Sequence, residues 1–377
     1  MGRVARTTFE PQVYVAHAGR DGRGVDADPF EPAVEKPRKR KSPWYLKLLI
    51  VFGSLMMLFS SGVLAAVYGL SDRYDSKATH TDILSGVPHA QKAAADGPLN
   101  YLVLGTDSRV QDDTGSRSDT ILLVHVNKGL SSAVIVSIPR DSYVDVPAGG
   151  SWKGGKNKIN SAFAFGGPAL AAKTIYNLTK IPLDGAMVIN FAGVVDMVNA
   201  VGGVHVCVPY DVPNYFQGDY PQYKNGWKKG CHDMQGEEAE IFMRQRHDVP
   251  GGDFGRMKSQ QLVMKALADK ATSSGVVTNP GRLDALLSTA AKSLTIDKSM
   301  NLRDMAFALK GIKSDNITFA TAPYKGTMNT PAGSSVQLDD AACQSLFQAV
   351  LNDKAGEWLA AHPQPDIPTY GPNDSGN

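Results

Sequence analysis

The stretch MRQRHDVPGGDFGRMKSQQ at Met243–Gln261 concentrates charged side chains around a Pro-Gly-Gly turn. A helix that begins near Phe254, with Asp253 as its N-cap, would place Arg256 and Gln260 on one face of its first turns. The N-terminus of a helix favours anions. Arg244 and Arg246 would end the preceding helix and point to the same place. The stretch therefore favours a phosphate site over the alternative, a solvated basic loop.

A long apolar run lies near the N-terminus of the 377-residue chain. No charged residue occurs between Leu48 and Leu70, which is enough helix to cross a hydrocarbon core of about 30 Å. A basic cluster precedes the run and aromatic residues stand at both of its borders, as membrane anchors show. We therefore predict a transmembrane helix at 44–70 and not a cleaved signal peptide, the alternative. The formal net charge of +2 gives no reason to expect a nucleic-acid partner.

The predicted span sets the domain organisation. Residues 1–43 are expected to form a disordered basic cytoplasmic tail, and residues 71–97 a polar extracellular stalk. An extracellular domain at 98–362 and a loose tail at 363–377 would follow. The protein would thus be a single-pass protein of the cell membrane with a cytoplasmic N-terminus.

Apolar runs alternate with helical patterns throughout the extracellular part. Asp119–Asn127 and Ala133–Ile138 read as strands that form a hairpin, and Asn100–Leu104 reads as a buried strand before them. Phe191–Ala200 reads as a helix between two further strands. This alternation predicts an α/β fold in which helices cover both faces of a mixed central sheet.

The hairpin brings charged residues to one rim of that sheet. Because antiparallel pairing sets the start of one strand beside the end of the other, Arg117 and Asp119 should lie near Arg140. Asp107 follows the buried strand and should emerge at the same rim. Elsewhere, Cys207 and Cys231 flank one segment and can form a disulfide in an oxidising compartment, in which case Cys343 would be unpaired. Three buried free thiols are the alternative.

Six motifs in order resemble the LytR-CpsA-Psr family of membrane-anchored cell-wall enzymes, over roughly residues 99–267. The motifs are LGTDSR at Leu104–Arg109, RSDTILLV at Arg117–Val124, SIPRDSYV at Ser137–Val144, KINSAFAFGGP at Lys158–Pro168, FAGVVDMVNAVGGVHV at Phe191–Val206 and RQRHDVPGGDFGRMKSQQ at Arg244–Gln261.

The resemblance implies phosphoryl transfer. Members of the family pass a glycopolymer phosphate from a polyprenyl-pyrophosphate carrier to a hydroxyl of peptidoglycan, next to the cytoplasmic membrane. By motif match, Asp107 and Asp119 are expected to hold Mg²⁺ (or Mn²⁺), with Arg117 and Arg140 catalytic. Asp253 is the candidate base, and the alternative is that it only orients Arg256. The pyrophosphate is expected to be bound by Arg117, Arg140, Arg244, Arg246, Arg256 and Gln260.

The same family holds its prenyl chain in an apolar tunnel. Residues that could line it here are explained equally well by ordinary core packing: Val188, Ile189, Phe191, Val194, Val195 and Val198. His247 is interpreted as a structural residue. Two further functions remain open, a non-catalytic membrane-tethered binder of such glycans and a pyrophosphatase that uses water as acceptor. The presence of Asp107, Asp119 and Asp253 favours the enzyme that transfers the glycan.

Overall fold

The computed structural model describes residues 74, 76–88, 98–106, 118–216, 218–300, 302–309 and 311–363. All of them belong to one compact unit that begins at Ala66. The predicted tails and the predicted span at 44–70 lie outside these residues, as do Asp107 and Arg117. Within the described part, every helix is too short or too polar to cross a bilayer.

Thirteen strands are present in the described part of the chain. They are β1 (Thr79–Thr81), β2 (Leu99–Thr106), β3 (Ser118–Val126), β4 (Ala133–Ser137), β5 (Tyr143–Val146), β6 (Gly155–Lys158), β7 (Gly185–Asn190), β8 (Val204–Val208), β9 (Gly230–Met234), β10 (Leu294–Asp297), β11 (Ile317–Thr321), β12 (Tyr324–Thr330) and β13 (Gly333–Leu338).

Nine α-helices accompany these strands in the same residues. They are α1 (Ser161–Thr179), α2 (Phe191–Ala200), α3 (Gly236–Arg244), α4 (Asp253–Thr272), α5 (Ser274–Val277), α6 (Pro280–Ser293), α7 (Leu302–Leu309), α8 (Asp340–Leu351) and α9 (Ala355–Ala361). Non-helical angles at Gly166 and Gly167 break α1, so its regular part begins at Pro168.

A seven-stranded sheet forms the centre of the fold. Its strand order is β1-β10-β7-β2-β3-β4-β11, with β1·β10, β7·β2 and β4·β11 parallel and the other pairs antiparallel. The predicted mixed sheet is therefore confirmed, and so is the β3–β4 hairpin. The strand predicted after the Phe191–Ala200 helix is also present, as β8, but it pairs with β9 in a separate hairpin.

Helices cover both faces of this sheet, because successive side chains of a strand point to opposite faces and both faces carry apolar side chains. Leu102 and Leu104 of β2 pack in one core with buried residues of α1, α8 and α9. Tyr101 and Val103 of the same strand face the opposite side, where α7 contributes to the core. A further core joins α2, α3 and α4 with β8.

Part of the segment that we predicted as a polar stalk packs into this domain. Strand β1 pairs in parallel with β10 at the sheet edge. Ile83, Leu84 and Val87 follow it and are buried in the core that contains α1. The backbone N–H groups of Ile83 and Leu84 donate to the Asp297 carboxylate at the end of β10. Buried apolar side chains and these two bonds explain why the segment is ordered here.

A disulfide closes the β8–β9 hairpin. Cys207 and Cys231 are cross-strand neighbours and are bonded to each other. Cys343 is a buried free thiol on α8, and burial together with Asp340 and Asp339 raises its pKa to about 12. It is therefore protonated at neutral pH and packs as a small apolar side chain.

Candidate functional site

The β3–β4 hairpin brings an acid and an arginine together at one rim of the sheet. Leu122 pairs with Ser137, so the start of β3 lies beside the end of β4. Asp119 is the second residue of β3, and Arg140 lies in the turn after β4. The Arg140 Nη1 donates to Asp119 Oδ1, and both side chains are largely buried. The contact predicted from the strand register is thus present.

The Pro-Gly-Gly turn delivers α4 to the same rim. Gly251 and Gly252 both have positive φ, 82° and 56°, a region that glycine enters without steric cost. Gly252 is the N-cap of α4, and Asp253 is its first helical residue, with no side-chain cap bond. The prediction that Asp253 caps the helix is therefore wrong by one position. As an N1 residue Asp253 still complements the helix dipole, and its carboxylate is free to face Arg140.

Asp253 joins two arginines from different elements. Its Oδ1 lies 2.9 Å from Arg256 Nη2 and 3.3 Å from Arg140 Nη2. Burial lowers the pKa of Arg140, but the carboxylates of Asp253 and Asp119 outweigh it and leave the pKa above its ordinary value. Arg140 is therefore a permanent cation fixed between two acids.

Arg256 is the most buried charge at this rim, with 8% of its side chain exposed. Burial, aided by the neighbouring cations Arg140 and Arg246, lowers its pKa despite the acids nearby. Its Nε and Nη2 are buried and have no hydrogen-bond partner among the described residues; the Nη2 is near Asp253 but not aligned for a bond. Such orphaned donors are costly unless a ligand accepts from them.

Other polar atoms beside Arg256 are also left without partners. Gln260 accepts a hydrogen bond from Thr120 Oγ1 at 2.9 Å through its Oε1. Its Nε2 is buried and has no hydrogen-bond partner in the described chain, and the same holds for Ser118 Oγ. The Gln260 amide group is therefore oriented by β3 with its donor side unused. This orientation suits an anionic acceptor.

Arg244 and Arg246 approach from the end of α3, as predicted. Both are exposed. The Arg244 Nη1 is 3.2 Å from Glu240 Oε1, and its guanidinium lies over the ring of Phe216. Together with the buried charges they border a cavity of about 240 Å³. Its lining comprises Asp119, Phe191, Tyr215, Phe216, Arg244, Arg246, His247 and Arg256.

A smaller and almost wholly apolar cavity adjoins this one through Phe191, which lines both. Ile189 and Val194, two of the residues for which tunnel lining and core packing were equally good explanations, also line it. Val198 instead is fully buried in the core of α2, α3 and α4. Thr120 and Gln260 are among the polar residues that line the apolar cavity.

The sequence did not reveal several contacts around these residues. Asp141 links Arg140 to Lys158: its Oδ2 lies 3.8 Å from Arg140 Nε, and its Oδ1 lies 3.3 Å from Lys158 Nζ. Asp141 and Lys158 both belong to motifs quoted above, and that membership was the signal in the sequence that could have pointed to them. His247, interpreted as structural, lines the cavity and stacks on Tyr215. Nothing in the local sequence of Tyr215 predicted that contact.

These observations define a class: an α/β protein with an arginine-lined cavity at one rim of its central sheet, beside an apolar cavity. The family model for the LytR_cpsA_psr family matches residues 67–350. The chain belongs to the LytR-CpsA-Psr family.

Known proteins similar to this chain agree with that assignment. The cell wall biosynthesis protein LcpA of Corynebacterium glutamicum is 27% identical over 87% of this chain and 69% of its own length. A Bacillus cereus protein, polyisoprenyl-teichoic acid–peptidoglycan teichoic acid transferase TagU, is 34% identical over 56% of this chain and 66% of its own. The chain thus spans about two thirds of each. The structure of TagT bound to LIIa-WTA superposes with a TM-score of 0.59 and 26% identity, covering 73% of this chain and 99% of TagT.

Proposed function

We propose that this chain is a transferase of cell-wall assembly, which moves a glycopolymer phosphate from a polyprenyl-pyrophosphate carrier to a hydroxyl of peptidoglycan. The observation that carries the proposal is the pair of buried guanidiniums, Arg140 and Arg256, held by Asp253 beside a cavity. A pyrophosphate diester carries two negative charges, and buried donors without partners are suited to donate hydrogen bonds to its oxygens.

The two adjoining cavities match the two ends of such a carrier. The apolar cavity, with Ile189, Phe191 and Val194 in its lining, suits the start of a prenyl chain. The charged cavity suits the pyrophosphate. Because Phe191 belongs to both, a lipid bound in the first would present its phosphates to the second. The match of polarity supports a lipid-linked substrate over a free nucleotide.

The reaction needs charge neutralisation more than covalent help. The acceptor oxygen attacks the phosphorus that carries the glycan, and the bridging P–O bond to the lipid phosphate breaks. Polyprenyl phosphate leaves with that electron pair, and the proton of the acceptor hydroxyl passes to a base, for which Asp253 is our candidate. Arg140 and Arg256 stabilise the charge on the phosphoryl oxygens. Their pre-set positions avoid reorganisation during the step.

A divalent cation fits the acidic residue at this rim. Asp119 borders the charged cavity and offers hard carboxylate oxygens, the kind of ligand that Mg²⁺ or Mn²⁺ takes. We propose that Asp119 and Asp107 hold the ion, with Asp107 assigned by its motif alone. When bound, the ion would supply further positive charge to the pyrophosphate oxygens. The remaining charge compensation comes from the arginines.

The names of the relatives support the substrate class. TagU is named a transferase from polyisoprenyl-teichoic acid to peptidoglycan, and LcpA is named a cell wall biosynthesis protein. We extend that class to this chain, with the glycopolymer itself left open. We also propose that the apolar run at 44–70 anchors the protein in the cell membrane with the domain outside. Such an anchor would keep the site near lipid-linked substrates.

The function is tested by incubating the full-length protein, reconstituted in lipid vesicles, with a labelled polyprenyl-pyrophosphate glycan, Mg²⁺ and peptidoglycan. We expect label bound covalently to peptidoglycan and release of polyprenyl phosphate. Release of phosphorylated glycan without linkage would indicate a pyrophosphatase. Binding of the lipid without any product would indicate a non-catalytic binder. A parallel incubation with chelator tests the cation.

A further inference from the structure

A loop between β8 and β9, residues 209–216 and 218–229 in the described part, forms one wall of the charged cavity. We call it the aromatic loop. The Cys207–Cys231 disulfide closes it at the base. Val212 and Trp227 exchange two backbone hydrogen bonds of 2.7 Å across it, and the Trp227 side chain is buried. These contacts give a long loop a fixed shape.

The tip of the aromatic loop is tied to the segment that carries the exposed arginines. Gln245 lies between Arg244 and Arg246 and is fully buried. Its Oε1 accepts from the backbone N–H of Tyr215 at 2.9 Å, and its Nε2 donates to Asn214 Oδ1 at 3.1 Å. Because one buried amide joins both segments, Tyr215 keeps a defined position relative to the two arginines.

Tyr215 presents a supported but open aromatic surface. Its ring stacks on that of His247, with centroids 4.1 Å apart and 27° between planes. Phe216 meets the Tyr215 ring edge-on at 5.6 Å. Even so, Tyr215 is 56% exposed, the highest value among the exposed large apolar side chains of the described residues. One face is covered by His247, so the exposed area belongs to the rest of the ring.

We propose that Tyr215, supported by His247, is the stacking platform for the sugar ring that is attached directly to the pyrophosphate. This inference rests on the proposed function and assigns the sugar end of the same substrate. Sugar rings carry a face of C–H groups, and the face of an aromatic ring is electron-rich, so the two attract and shed water together. The hydroxyls on the rim of the sugar stay in solvent or face the exposed arginines.

The cavity linings favour a sugar over a second lipid contact. Tyr215 and His247 line the charged cavity together with Arg244, Arg246 and Arg256, and they do not line the apolar cavity. A lipid-linked glycan carries its sugar on the pyrophosphate and not on the prenyl chain. The prenyl chain already has the apolar cavity, which shares Phe191 with the charged one. Tyr215, next to Arg244 and Arg246, lies where the sugar must follow the phosphates.

The test compares two diesters of equal charge in binding to the full-length protein. One is farnesyl pyrophosphate carrying a methyl ester, and the other carries one N-acetylglucosamine or one glucose in place of methyl. Equal charge matters because the arginines would otherwise dominate the difference. We expect the wild-type protein to bind a sugar diester about five- to tenfold more tightly than the methyl diester. Calorimetric titration in detergent gives both constants.

Three variants examine Tyr215 and its support. Tyr215→Ala should bring the sugar-to-methyl affinity ratio close to one while the affinity for the methyl diester stays unchanged. Tyr215→Phe keeps the ring and should keep the ratio. His247→Ala removes the support and should lower the ratio in part. Asn225→Ala is the matched control, since Asn225 is exposed on the same loop and does not line the cavity.

The outcomes separate this inference from the proposed function. A wild-type ratio near one, or a ratio that survives Tyr215→Ala, overturns the sugar platform while pyrophosphate binding stands. Equal loss of both diesters in Tyr215→Ala also overturns it, because the residue would then act on the whole cavity. If the wild-type protein binds neither diester, the proposed function fails and the platform with it. Loss of the sugar preference alone supports the platform.

Discussion

Two carboxylates, Asp297 at the end of β10 and Asp253 at the start of α4, differ in how well the polar atoms around them are satisfied. At the end of β10, Asp297 accepts from the N–H groups of Ile83 and Leu84 with one oxygen, and from the N–H and hydroxyl of Ser299 with the other. Four donors saturate this carboxylate. These bonds outweigh burial and hold the pKa of Asp297 below its ordinary value.

The centre around Asp253 is built in the opposite way. Asp253 lies between Arg140 and Arg256, yet buried donors of Arg256 and Gln260 have no hydrogen-bond partner in the described residues. The first centre serves the fold, because every group is paired within the chain. The second retains unused bonding capacity next to a cavity, which is what a binding site for an anion requires. The satisfaction of polar atoms within the chain therefore separates the two roles.

The largest expected effect follows from replacing Arg256 by an apolar side chain of similar length. Arg256→Met should lower the transfer rate by about 10²–10³-fold, as loss of one pre-set donor to a charged transition state does. The thermal stability of the variant protein should not fall, because a desolvated and incompletely bonded cation contributes little to the stability of the fold. Rate assays and thermal unfolding of the same preparation measure both quantities.

Arg256→Lys serves as the control for that substitution, since it keeps the charge but not the paired donors. We expect intermediate activity from Arg256→Lys. A fall in stability that accompanies the fall in rate in Arg256→Met would show that Arg256 is structural. The contrast between the two centres would then be lost.

The second prediction applies the same logic to the saturated centre. Asp297→Asn keeps the shape of the side chain. One carboxylate oxygen becomes an NH₂ group that faces other donors, and the other becomes a neutral carbonyl oxygen, which is a weaker acceptor. The free energy of unfolding should fall by about 1.5–3 kcal/mol, the range for hydrogen bonds to a charged group. The kcat of transfer should stay within twofold of wild type at a temperature where both proteins are folded. Urea unfolding and the transfer assay test this pair of expectations, and a large loss of kcat would contradict the assignment.

A pH series sharpens the role of Asp297. Its pKa in the folded protein lies below the unfolded value of about 3.9. Its stabilising effect is therefore fully present above that unfolded value and is lost as pH falls through the folded pKa. The stability gap between wild type and Asp297→Asn should stay constant from pH 7 to pH 5 and narrow below about pH 4. A gap that does not change in urea unfolding at pH 3.5 would show that the charge of Asp297 is not what stabilises the segment.

The sequence predicted those parts of the fold and site that depend on local pattern. The β3–β4 hairpin follows from two apolar runs with a short turn, and its register alone placed Asp119 beside Arg140. The short strands β5, β6, β9, β10, β12 and β13 were not predicted, because four to seven residues with glycines or alternating polar side chains give little periodic signal. Strand β12, for example, alternates half-buried and exposed residues.

Contacts between distant elements were beyond local pattern. That Asp253 lies against Arg140 depends on where α4 packs, and α4 packs in the core that it shares with α2, α3 and β8. The motif match brought both residues to one site without supplying that geometry. The position of Tyr215 depends on the Cys207–Cys231 disulfide and on the bond to Gln245. Neither the spacing of the cysteines nor that of Gln245 in the sequence reveals where Tyr215 lies. The Asp297 centre was missed because two of its partners, Ile83 and Leu84, come from a segment that reads as a polar stalk.

The smallest expected effect concerns the exposed side of the cavity. Arg244 is 41% exposed and lies near Glu240 and over the ring of Phe216. Because solvent screens it, Arg244→Ala should weaken substrate binding by only about three- to tenfold, expressed in KM with kcat nearly unchanged. Raising the salt concentration should reduce the difference from wild type, whereas the defect of Arg256→Met should persist. Glu240→Gln removes the partner of Arg244 and should change KM less than twofold. A salt-independent loss of kcat in Arg244→Ala would place this arginine with the buried donors and move the boundary of the reactive site to the end of α3.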